Sequence, residues 1–273
     1  MWDFEHEPEQ SRLAEHYSIH RTMPSECAAQ LETAESDIGL IPIASYATIA
    51  GLSILPGCTI ASMDRVRSIL LVTRTGVELS RVRTVAADTS SLTSLAYTQI
   101  LFHRYWRGTP EFVPHAPDLD SMLARCDAAL LIGDPALLAL EGLPEREART
   151  GESLHYIDLA HEWRERTGTP WVSAFWAVRN EALVETSRGA AQVAEDFVRS
   201  RDHGLNHIHD IAVEWASRIP MSPEDIRAYL TNNIHYVMNE ACLKGMRMFF
   251  RYAEECAVLP GVPELKWVGG AAR

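Results

Sequence analysis

Hydrophobic positions along this chain fall into two alternating kinds of stretch. Short continuous runs rich in Ile, Leu, Val and Ala predict buried strands at 37–42, 52–62, 66–73, 84–87, 127–135, 156–159 and 171–178, with a shorter one at 111–114. Between them, apolar residues recur at three- and four-residue spacing and predict helices at 24–34, 44–49, about 92–106, 121–125 and 161–166. Pro24 opens the first of these, either Asp118 or Asp120 caps the fourth, and Gly168 ends the last. From about residue 180 the pattern turns helical, at 189–198, 204–217, 223–230 and 240–256. Residues 1–22 carry Trp2, Phe4, Leu13 and Tyr17 among many charges and give no complete strand or helix signal.

Strands alternating with helices imply an α/β chain with mainly parallel sheets, in which ligands bind outside the carboxyl ends of strands. The stretch 127–135 repeats the arrangement at 37–42 and suggests two lobes built alike, with a cleft between them as the natural site.

Composition adds limits. At 273 residues, 47% hydrophobic and 23% charged, the chain has the make-up of a globular protein large enough for two domains. A net charge of -12 leaves no basic field for nucleic acid or an anionic membrane. Cys27, Cys58, Cys126, Cys242 and Cys256 are scattered and odd in number, which fits reduced thiols in a cytoplasmic setting. No apolar run is long enough to span a bilayer, and the opening residues are too acidic for a secretory signal.

The candidate chemistry centres on a hydroxyl run, Asp88, Thr89, Ser90, Ser91, Leu92, Thr93 and Ser94, placed where a strand gives way to a helix. Alone, such a run is an N-cap, the commoner use of these residues; it also suits a carboxylate or phosphate at a helix start. Ser68 lies near the start of its strand, flanked by Arg65 and Arg67, and periodicity does not single it out. His203, His207 and His209 lack the spacing and further ligands of a metal site. Glu162-Trp163 and Glu214-Trp215 are helix faces with an aromatic anchor. The glycine-rich dinucleotide and nucleotide motifs and the G-x-S-x-G nucleophile elbow are absent from the sequence.

Taken together, residues 37–42, Asp64-Arg65-Val66-Arg67-Ser68, the run from Asp88 to Ser94, Ile132-Gly133-Asp134-Pro135-Ala136-Leu137, and 162–177 resemble the chorismate dehydratase family of the futalosine route to menaquinone. The resemblance implies a two-lobed fold of the type II periplasmic binding protein kind, with a ligand cleft between lobes. One lobe would be 1–81 plus 177–273 and the other 82–176. It implies conversion of chorismate to 3-[(1-carboxyvinyl)oxy]benzoate and water by a hydro-lyase that uses no metal or organic cofactor. Ser68 would be catalytic, and Thr89, Ser90, Ser91, Thr93, Ser94, Gly133 and Asp134 would bind the substrate. The partner would be this small molecule, with no nucleic acid and no membrane, and the oligomeric state is left open, a homodimer included. The family's second catalytic residue, an asparagine in an F-L-N-T-x-P-like strand end, has no counterpart here, so the chain is expected to lack a segment before Met1. A sister enzyme that forms a dihydroxynaphthoate and a non-catalytic carboxylate-binding protein are the alternative readings.

Overall fold

A computed structural model describes residues 1–88 and 91–270. The chain divides into two compact units: 1–61, 172–243 and 263 onward form the first, and 62–171 with 244–262 form the second.

The first unit holds a four-stranded sheet of β1 (Ile38–Pro42), β2 (Leu52–Ser62), β8 (Trp171–Arg179) and β9 (His235–Val237) in the order β1-β8-β2-β9. β1 runs antiparallel to β8, with Ile38 opposite Val178, and β2 runs antiparallel to β9. Leu55, Cys58 and Val178 pack under the helix Ala190–Asn206, which supplies Val193 and Phe197. The opening residues contradict the expectation of no element there. They form helices Trp2–Glu5 and Glu9–Ala14, which bury Phe4 and Leu13 in this core. Each helix is too short to leave a periodic pattern, and its signal is confounded by a buried acid. Asp3, 1% exposed, takes up Ser200 Oγ, which accepts from its N–H at 3.0 Å, and its carboxylate faces Arg199 and His203.

The second unit holds a five-stranded sheet of β3 (Ile69–Arg74), β4 (Thr84–Ala87), β5 (Glu111–Pro114), β6 (Ala128–Ile132) and β7 (Leu154–Asp158), in the order β5-β4-β6-β3-β7. β4 is parallel to β5 and β6, whereas β3 is antiparallel to both β6 and β7. The five-stranded sheet is therefore mixed, β1-β8 and β2-β9 of the other are antiparallel, and the expectation of mainly parallel strands is corrected: a run of apolar residues such as Ile69 to Val72 is buried equally well in either direction, so hydrophobicity cannot encode strand sense. β3 pairs with β6 and β7, and the second unit includes it, beginning at Ser62.

The helix Leu92–Leu101 continues into a wider π-type turn at Phe102–Trp106, and the helix Leu159–Thr167 ends at Gly168 in a left-handed conformation. Both contribute to an aromatic core. Tyr97 stacks on Trp171 with centroids 3.8 Å apart and meets Trp163 edge-on at 4.6 Å and Phe249 at 4.3 Å. Phe249 comes from the last long helix, Glu240–Glu255. Trp163 is the anchor its sequence pattern suggests, with its indole N–H donating to Thr169 Oγ1 at 3.1 Å. Trp215 is 44% exposed and anchors nothing comparable. The helices Asp134–Glu141 and Leu143–Thr150 follow β6 where the sequence pattern gives only a strand end.

Candidate functional site

The strand directions of the second unit bring five chain positions to one sheet edge. β4, β5, β6 and β7 all end there, and β3, running against them, starts there, with Ile69 opposite Ile132 and Leu70 opposite Asp158. Ser68, Ser91, Gly133 and Asp158 therefore share an edge although they are far apart in sequence. Three helices begin at it; Asp158 already caps the one at Leu159–Thr167, which leaves the other two for a ligand. Ser91 is the N-cap of the first, its Oγ accepting from the N–H of Ser94 at 3.3 Å and lying 3.0 Å from the Ser94 hydroxyl. Gly133, at φ 70° and ψ -142°, opens the second. That backbone conformation is close to glycine-only territory, and a Cβ there would meet no atom within 4 Å, so the glycine serves the turn rather than a tight packing.

The first amides of a helix have no carbonyl a turn before them, and the aligned peptide dipoles place partial positive charge at the same end. Two such ends on one edge favour an anion. Each contributes about 0.3–1 kcal/mol when exposed and up to ~2 when partly buried, so neither alone holds a substrate tightly.

The expected site residues are placed unequally. Ser68 is 6% exposed, and its carbonyl accepts from the N–H of Gly133 at 2.7 Å, which joins two of the expected residues directly. Ser91 sits at the edge as a cap. Thr93 and Ser94 are each 1% exposed, and Ser94 already serves the cap through its hydroxyl while its carbonyl accepts from Thr98 Oγ1 at 2.7 Å. Asp134 is exposed in the first turn of its helix, where its carboxylate balances the dipole and would oppose an incoming anion; what it can offer such a ligand is its main chain. Thr89 and Ser90 lie outside the described residues.

The sequence pattern missed one group at this edge. Asp158, the last residue of β7, is 8% exposed, and its carboxylate accepts from the N–H groups of Arg67 at 2.7 Å and Val66 at 3.3 Å, and from those of Ala160 and His161 at 3.1 Å each. An Asp before a helix is a legible capping signal; its second task, at a turn some ninety positions earlier, is not. Arg67 also pairs through its side chain with Glu141 at 2.8 Å.

A hollow of about 520 Å³ runs along β7, lined by Arg65, Trp106, His155 and Arg166 but also by Glu78 and Glu162. It touches Asp158 and none of Ser68, Ser91 or Gly133, and its mixed charge does not make a carboxylate seat. The histidine group at 203, 207 and 209 is otherwise engaged or exposed: His203 faces Asp3 at 2.8 Å, His207 stacks on Trp2 at 4.2 Å and pairs with Asp210, and His209 is exposed. Among the described residues no group of three His, Cys, Asp or Glu side chains is arranged to hold a metal ion, and no helix is long and apolar enough to cross a membrane.

Two α/β units, each with its own sheet and strand-end helices, are the mark of the periplasmic-binding-protein fold. Solved structures of that fold match nearly the whole chain: a protein from Archaeoglobus fulgidus at TM-score 0.66 and 17% identity, covering 94% of each chain, and the aliphatic sulphonate binding protein SsuA of Escherichia coli at TM-score 0.59 and 11% identity, covering 96% of this chain and 87% of that one. A Candida albicans protein described as having the generic periplasmic binding protein structural fold matches at TM-score 0.58 and 14% identity, covering 90% of this chain and 81% of that one. Within that fold, the model of the menaquinone biosynthesis family matches residues 2–255, and the chain belongs to that family. A chorismate dehydratase of Thermus thermophilus is 29% identical over 250 residues, 86% of each chain.

Proposed function

We propose that this protein is a chorismate dehydratase acting in menaquinone biosynthesis, converting chorismate to 3-[(1-carboxyvinyl)oxy]benzoate and water. The observation that carries the reading is the edge of the five-stranded sheet, where Ser68 is bonded to Gly133 at one helix start suited to a carboxylate and the Ser91 helix starts from the same edge. Membership of the menaquinone biosynthesis family and the likeness to the Thermus enzyme support it.

The chemistry asks little of the protein beyond orientation. Chorismate loses a ring C3 proton and its C4 hydroxyl; the electron pair of the C–H bond becomes ring π density, the C–O bond breaks, and the proton and hydroxide leave as one water. Aromatisation supplies the driving force, so holding the dianion in a reactive conformation and shielding it account for most of the catalysis. The helix starts at Ser91 and at Gly133 and Asp134 seat a carboxylate, with Thr93 and Ser94 shaping the first turn of the Ser91 helix. Ser68 hydrogen-bonds the reacting centre, and a substrate carboxylate takes the proton.

Full-length protein incubated with chorismate is expected to yield the aromatic product in step with chorismate loss, followed by absorbance and mass. Ser68→Ala should lower kcat about a hundredfold, the scale of one lost transition-state donor, with the circular dichroism spectrum unchanged. Chorismate bound but unconverted would favour a non-catalytic carboxylate-binding protein, and turnover of a cyclic futalosine derivative instead would favour the dihydroxynaphthoate-forming sister enzyme.

A further inference from the structure

The turn that delivers Ser68 is not self-sufficient. Arg67 has φ 61°, a left-handed conformation that a residue with a Cβ adopts at a cost. A strained residue persists only where its surroundings hold it. On one side of Ser68 the support is its own carbonyl, which accepts from Gly133 at 2.7 Å. On the other side it is Asp158, whose Oδ2 accepts from Arg67 N–H at 2.7 Å while Oδ1 takes Val66 at 3.3 Å and the first free amides of the helix Leu159–Thr167. A single buried carboxylate thus ties a helix start to the two residues immediately before Ser68. Four N–H donors on one carboxylate exceed what capping the helix requires. Charge-assisted bonds of this kind are the stronger sort, and a carboxylate oxygen cannot be replaced by an amide nitrogen opposite an N–H without setting donor against donor.

We propose that Asp158 is a positioning residue for Ser68, fixing the Val66 and Arg67 turn so that the serine hydroxyl meets the reacting centre. The inference rests on the reading of Ser68 as the residue that contacts the substrate. Asp158 itself touches backbone only and takes no part in the proton transfer.

The test is carried out on the full chain with chorismate as substrate, using Asp158→Asn and Asp158→Ser. The asparagine keeps one oxygen for the helix amides and turns its NH2 toward Arg67. The serine caps the helix and is too short to reach the turn, so the pair remains informative should one of them fold poorly. Each is expected to lower kcat about tenfold or more, as small misplacements of a reacting group do, with KM changed less than about threefold and the melting temperature close to that of the parent. Adding Arg67→Gly, which makes a left-handed residue 67 comfortable, should restore part of the lost kcat. A capping defect alone would gain nothing from that glycine. In a Ser68→Ala background, Asp158→Asn should cost little more, because the group it positions is gone. Full activity of Asp158→Asn, no recovery with Arg67→Gly, or losses that multiply in the double variant would each overturn the proposal. Full activity of Ser68→Ala would instead overturn the role of Ser68, and is read independently of any Asp158 variant.

Discussion

At the scale of single residues, the chain buries acids where they have backbone or guanidinium partners. Asp158 is one case; Asp196 in the first unit is another. Its side chain is fully buried, with Arg188 forking onto both oxygens, Arg199 Nη2 at 2.9 Å and the Tyr17 hydroxyl donating at 2.9 Å. Burial, the largest influence, works to raise the carboxyl, but the hydrogen bonds from Arg188 and Tyr17 outweigh it and hold Asp196 below the usual carboxylate range. Burial and the neighbouring carboxylate push the Tyr17 phenol upward in turn. A folded-state value below the unfolded one of about 3.9 means that the stabilisation is complete above about pH 4 and is lost as pH falls through the folded value. Asp196→Asn leaves the partly exposed Arg188 without its counter-charge and should cost about 2 kcal/mol at neutral pH, the scale of hydrogen bonds to a charged group. Denaturant melts of both proteins as a function of pH are expected to show that difference shrinking below pH 4.

At the scale of elements, packing overrides local preference in a way the sequence conceals. Gly245 lies inside the helix Glu240–Glu255, where alanine would ordinarily add about 1 kcal/mol of stability. A Cβ at that position would sit 2.5 Å from the backbone oxygen of Pro170, an atom that cannot swing aside as a side-chain tip can. The overlap is expected to win: Gly245→Ala should destabilise by roughly 1–2 kcal/mol, within the range for overpacking, measured by urea denaturation. The strands were largely legible, because β1, β2, β4 and β8 are apolar runs bounded by turns. The helix Leu143–Thr150 was not, since its residues are mostly polar and none of them is buried. The helix Asp134–Glu141 was masked by Gly133 and Pro135, which read as the close of a strand although they open a helix. β9 spans only three residues and has no pattern to detect.

At the scale of the whole molecule, the two-unit α/β organisation and the family were readable from motifs in order, whereas strand sense was not. It depends on which strand β3 chooses as neighbour, a contact between residues distant in sequence. The candidate site was legible where it used local signals, in Ser91 as a cap and Gly133 as a turn, and illegible where it used Asp158, whose partners at 66 and 67 are brought near only by folding. The second unit is also discontinuous, since 244–262 return to it after the first unit's main segment. A chain ended at Leu243 lacks Phe249 against Tyr97 and is expected to bind a hydrophobic dye and lose near-ultraviolet circular dichroism while keeping much of its helix signal.

That discontinuity also sets a timetable. On a ribosome adding roughly 5–20 residues per second, Tyr97, Trp163 and Trp171 emerge several seconds before Phe249 can close their cluster. Through that interval the three rings lack the partner that completes their cluster, the kind of transient apolar exposure that favours aggregation, so slowed translation past residue 171 is expected to lower the yield of folded protein.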